Sequence, residues 1–116
     1  MLTLQEVRAL DRSISEVNDI LFEIIHKIEH HAITKNSISK RLLIIHNDID
    51  KLEKDLPNTM KVFAQEAWEK VLELLEHLLN STNLHDLLSE LKAVKQILNS
   101  ISSNLYRLPR EPSSKS

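Results

Sequence analysis

The chain has 116 residues with no glycine and no cysteine, and fifteen Lys and Arg against seventeen Asp and Glu give a formal net charge of -2. That length holds one domain and is too short for two ordinary ones. Without glycine, the phosphate-cradling loop, the dinucleotide fingerprint and the strained nucleophile turn are excluded, since each needs positive φ or a close backbone approach. Without cysteine, so are disulfides, thiolate nucleophiles and cysteine zinc sites.

The balanced charge supplies no field to steer the chain onto a polyanion, so neither nucleic acid nor an acidic membrane surface is an expected partner. The longest apolar run is Leu42, Leu43, Ile44 and Ile45, far short of the roughly 20 residues of a membrane span. Met1 leads into an acidic amphipathic pattern with no basic region and apolar stretch, so no signal peptide and a cytoplasmic location are expected.

In chain order, Thr3 followed by Glu6 is a capping box, which starts a first helix near Leu4 that runs to about residue 33. Its inner heptad positions are Val7, Leu10, Ile14, Val17, Leu21, Ile24 and Ile28, a seam of coiled-coil type. The same frame continues through His31, Lys35, Ile38, Leu42, Ile45, Ile49, Leu52 and Leu56, so thirteen of fifteen inner positions are aliphatic. Against that continuity stands the polar cluster Thr34, Lys35, Asn36 and Ser37, which reads as a turn and a fresh N-cap. A turn there separates a second helix over about 37–56. Without it, residues 4–56 form one helix of about 50 residues and roughly 80 Å at 1.5 Å per residue, with His31 and Lys35 set into its seam.

Leu56 and Pro57 end that pattern, and Asn58 or Thr59 can cap a third helix over about 59–80. Its apolar half holds Ala64, Ala67, Trp68, Val71, Leu72, Leu74, Leu75, Leu78 and Leu79, wide enough to touch two neighbours. Asn80, Ser81, Thr82 and Asn83 form a short turn with a cap. A fourth helix follows over about 84–106, with the seam Leu84, Leu87, Leu91, Val94, Leu98, Ile101, Leu105 and Leu108.

Short connections between long amphipathic helices impose antiparallel neighbours, so the expected fold is all-α, an up-down bundle of four helices over residues 1–108. The alternative is the single long helix with a two-helix hairpin. Residues 109–116, with Pro109, Pro112 and three serines, are expected to form a disordered tail carrying a bare P-x-x-P.

Six histidines raise the question of a metal. Glu23, His26 and His30 have the Glu-x-x-His and i, i+4 spacings of helical metal ligands, yet only one such pair exists and it falls on outer heptad positions. No metal site and no cofactor are expected. His77, beside Glu73 and Glu76, is expected to be exposed as well.

Arg41, four residues and then His46 resemble the Arg-x(4–6)-His signature of the HEPN ribonucleases, over six residues and the general all-α architecture. That resemblance implies a dimer with the pair at an RNA-cleaving interface, Arg41 stabilising a pentavalent phosphate and His46 transferring a proton. The family commonly has Asn, Asp or His after the arginine and a tyrosine two beyond the histidine, where this chain has Leu42 and Asp48.

Phe22, Ile25, Ile33, Leu43 and Ile44 lie outside the main seam, with Ile20 beside them. Apolar residues away from a core mark a second interface, and about half of these six are expected to stay exposed in a single chain. The functional expectation is a non-catalytic assembly or adaptor module that forms a homo-oligomer, a dimer or larger, or packs on a helical protein partner. A HEPN-like ribonuclease or accessory subunit using Arg41 and His46 is the alternative.

Overall fold

A computed structural model describes residues 2–108; the tail assigned to 109–116, with its P-x-x-P, lies outside the described residues. Four helices form an up-down bundle: α1 (Leu4–Glu29), α2 (Lys35–Asp55), α3 (Lys61–Asn80) and α4 (Leu88–Arg107). Single 3-10 turns, Asn58–Met60 and Leu84–Leu87, lead into α3 and α4. Each helix packs on the two beside it, with α4 closing the ring against α1. The interior is a single aliphatic column holding no polar or charged residue among those described.

The capping box forms as the sequence predicts. The Thr3 backbone N–H donates to Glu6 Oε1 at 2.9 Å and the Glu6 N–H to Thr3 Oγ1 at 3.1 Å. The first of these favours the ionised carboxylate and, with the Thr3 side chain as the second cause, holds the Glu6 carboxyl below its ordinary range. Leu2 and Val7, on either side of the cap, occupy the positions of a hydrophobic staple; Val7 is buried and Leu2 packs against the core.

The chain does turn between α1 and α2, but earlier than the polar cluster suggested. Helix α1 ends at Glu29, and His30 to Ile33 make the connection. Thr34 is the N-cap of α2 and accepts from the Ser37 N–H at 3.2 Å, so Lys35, Asn36 and Ser37 are the first turn of a helix. The stop itself is a Schellman motif: Ala32 N–H donates to the Lys27 carbonyl at 2.8 Å and His31 N–H to the Ile28 carbonyl at 3.1 Å. His31 takes the left-handed position, φ 54°, that glycine usually fills. His31 and Lys35, the two polar exceptions in the long seam, are therefore exposed at a bundle corner.

One other expectation needs correction. No Asn58 or Thr59 side chain caps the third helix; Met60 N–H closes the 3-10 turn on the Pro57 carbonyl instead. The apolar half of α3 touches both α2 and α4, as its width predicts, and leaves Leu72 36% exposed and Leu79 82% exposed. Asn83 does cap as expected, accepting from the His85 N–H at 3.0 Å.

A left-handed backbone costs a β-carbon residue about 1–2 kcal/mol, and glycine avoids that cost while adding entropy to the unfolded chain. His31→Gly is therefore expected to raise stability by about 0.5–1 kcal/mol in chemical denaturation. A destabilised variant would mean that the His31 ring contributes more to the fold than its backbone strain removes.

Candidate functional site

The residues expected to form a second interface separate into two sets. Phe22 is 60% exposed, Leu43 52% and Ile44 51%, so three of the six remain on the surface of one chain. Ile25 is not among them; at 7% exposure it belongs to the core, because α4 as well as α2 packs against α1. Ile33 is partly buried against the core at the staple position before the Thr34 cap, and Ile20 is likewise partly buried.

The exposed three do not share a patch. Phe22 faces the α1–α4 groove, where Ile25, Glu29, Lys92, Lys95, Gln96 and Asn99 line a shallow depression. Lys95 Nζ lies 5.3 Å from the Phe22 ring centroid, within cation–π range, and the His26 ring stacks on Phe22 at 6.2 Å. Leu43 and Ile44 instead project from the outer side of α2.

Arg41 and His46 are not brought together. Five residues on a helix are about 140° apart, and the two side chains leave opposite flanks of α2. Arg41 Nη1 reaches Glu23 Oε1 on α1 at 2.6 Å. On the other flank the His46 ring lies 4.5 Å from the Trp68 ring of α3, its Nε2 buried without a hydrogen-bond partner. A phosphate held by Arg41 would thus be on the far side of the helix from the imidazole of the same chain.

Glu23 bonds to Arg41 and also to Lys27 Nζ at 3.0 Å. Those two cations, Arg41 foremost, hold its carboxyl below its ordinary range. His26 and His30 are exposed, with ring centroids 4.3 Å apart and His30 Nδ1 at 2.9 Å from the His26 carbonyl oxygen. Among the described residues no three His, Asp or Glu side chains cluster in a geometry that could hold a metal ion. His77 is exposed as expected, yet its partner is Glu90 of α4, at 2.7 Å, and neither nearby glutamate of α3.

Sequence reasoning missed the polar clasps that join α1 to α4. Asn18 Nδ2 donates to Asn99 Oδ1 at 2.8 Å, Tyr106 O–H to Asp11 Oδ2 at 3.0 Å, and Ser102 O–H to the other Asp11 oxygen. Each partner flanks the seam, and only the pairing of the two helices shows which residues meet. No helix among the described residues is long and apolar enough to cross a membrane. Compared with known protein families, curated proteins and solved structures, the chain matches none.

The Glu23 pair gives a prediction with a definite sign. A carboxyl with a depressed folded pKa adds stability above its unfolded value, and that stability is lost as pH falls through the folded value. In Arg41→Ala the Glu23 midpoint, followed by carboxyl carbon NMR, is expected to rise part of the way to the ordinary value, with Lys27 holding the rest. An unchanged midpoint would mean the contact to Arg41 is absent in solution.

Proposed function

We propose that the chain is a non-catalytic helical assembly module, acting by self-association or by packing on a helical partner through the exposed apolar faces of its helices. The observation that carries this reading is the coexistence of a complete interior with leftover apolar surface. The core closes within one chain, while Phe22, Leu43, Ile44, Val62, Leu72 and Leu79 remain exposed. Isolated surface apolar residues are ordinary, but exposed leucines at helical spacing, as Leu72 and Leu79 are on α3, are the mark of interaction sites.

Catalysis has less support. Arg41 is engaged by Glu23, and His46 lies against Trp68 on the opposite flank. An RNA-cleavage assay is expected to show no activity that Arg41→Ala or His46→Ala removes. Loss of cleavage in either variant at unchanged oligomeric state would establish the ribonuclease reading instead.

Light scattering coupled to size-exclusion chromatography is expected to show a mass of at least two chains at tens of micromolar. A mass of 13.4 kDa over the whole range would remove self-association and leave only the form with a helical partner.

A further inference from the structure

Helices α2 and α3 carry a two-helix face that no other element among the described residues covers. The His46–Trp68 ring contact marks where they abut. On α2, Ser39, Leu43 and Asp50 share the flank of His46 at helical spacing; on α3, Gln65, Leu72, Leu75 and Leu79 share that of Trp68. Leu43, Leu72 and Leu79 are the exposed apolar members. In antiparallel packing, Leu43, three residues before His46, and Leu72, four after Trp68, are both about one turn beyond the ring contact, so the two leucines are level.

On this flank of α2 Asp50 pairs with Lys54, and α3 also carries the half-buried Lys61 and Lys70; the remaining exposed charges beside the strip are sorted by helix. The outer edge of α2 presents Lys40 and Lys51, and that of α3 presents Glu66, Glu69, Glu73 and Glu76, all exposed. Among the described residues, none of these six has an ion-pair partner. They cannot neutralise one another within the chain, because both rows point away from it.

Resting on the assembly reading above, we propose that a second copy of the chain covers this face, with α2 of each copy on α3 of the other about a twofold axis parallel to the helices. That axis preserves height along the bundle. Leu43 then meets Leu72 of the second copy twice, and Lys40, six residues before His46, is bracketed in height by Glu73 and Glu76, five and eight after Trp68. Lys51 is within about one turn of Glu66. A twofold axis across the helices would instead set α3 on α3, and the glutamate rows would oppose each other with no cation between them.

The area is sufficient. Helices of 21 and 20 residues are about 30 Å long at 1.5 Å per residue, and two of them side by side are about 20 Å wide. Pairing two such faces buries about 1,200 Å² in total, at the lower end for a specific interface. The dimer is accordingly expected to be reversible, and its strength to fall with added salt.

A charge-exchange experiment tests the pairing. One variant carries Lys40→Glu and Lys51→Glu, the other Glu66→Lys, Glu73→Lys and Glu76→Lys; circular dichroism confirms that both are folded. Sedimentation of the full chain from micromolar to hundreds of micromolar is expected to show a wild-type dimer and at least a tenfold higher dissociation constant for either variant alone. An equimolar mixture should restore the dimer, since each reversed row then meets its opposite. If the wild type dimerises and neither reversal weakens it, this face is wrong and self-association through another surface stands. If both variants are weakened and mixing restores nothing, the α2-on-α3 arrangement is overturned. A wild type that stays monomeric over the whole range overturns the second copy as occupant and self-association with it.

Discussion

Everything in this bundle depends on an interior built only from aliphatic side chains and one methionine, with no polar residue among those described inside it to fix which helix meets which at what height. Apolar burial at about 25 cal/mol per Å² provides the driving force, but it is non-directional and tolerates sliding. Register must therefore come from shape and from the perimeter. The clasps at Asp11, Asn18 and Glu23 supply it, tying α1 to α4 on one side and to α2 on the other. Each is partly or wholly exposed and adds little stability alone. A slipped register would lose all of them together while keeping much of the apolar contact, so their value is in selecting among packed alternatives.

A second constraint is the absence of glycine, which leaves every helix to be stopped and started by other residues. Thr3, Thr34 and Asn83 supply side-chain caps, and Pro57 breaks the chain where no cap bond forms. Among the described residues the one left-handed position is His31, a type more tolerant of that region than most. The turn is held by its two backbone bonds and by Ile33, which anchors the connection against the core. Local strain is thus balanced by burial a few residues away.

The heptad frame made most of the interior legible. Thirteen aliphatic positions from Val7 to Leu56 are all buried, and the two polar exceptions are at the turn. The position of that turn was less legible, because the usual glycine signal is missing and Thr34 to Ser37 look like a loop when they are a cap and a first turn. Ile25 was misplaced because a heptad seam describes contact with one neighbour, whereas each helix here has two. The width of the apolar face of α3 foretold its two neighbours, α2 and α4, while among the described residues nothing covers Leu72 and Leu79 at its margin. The partners that engage Arg41 and His46, Glu23 and Trp68, were not legible in the sequence, because they required the packing of α2 between α1 and α3.

The sorting of surface charge follows from the same geometry. In a four-helix ring each helix has one flank toward each neighbour and an outer edge that meets none, so selection for stability acts weakly on the outer edge. Intrahelical i, i+4 pairing is the simplest stabilising use of such an edge, and α2 uses it once, between Asp50 and Lys54. Helix α3 has no such pair on its outer row. Glu66, Glu69, Glu73 and Glu76 repeat at i, i+3, i+7 and i+10, which places like charges beside one another and costs a few tenths of a kcal/mol per neighbouring pair in an isolated helix. Lys70, four residues after Glu66 and three before Glu73, is the cation of α3 nearest that row, and it forms no ion pair among the described residues. A row of like charge beside exposed leucines lowers the free energy only when an opposite row is brought against it, and a near-neutral net charge conceals both rows because their signs cancel in the sum.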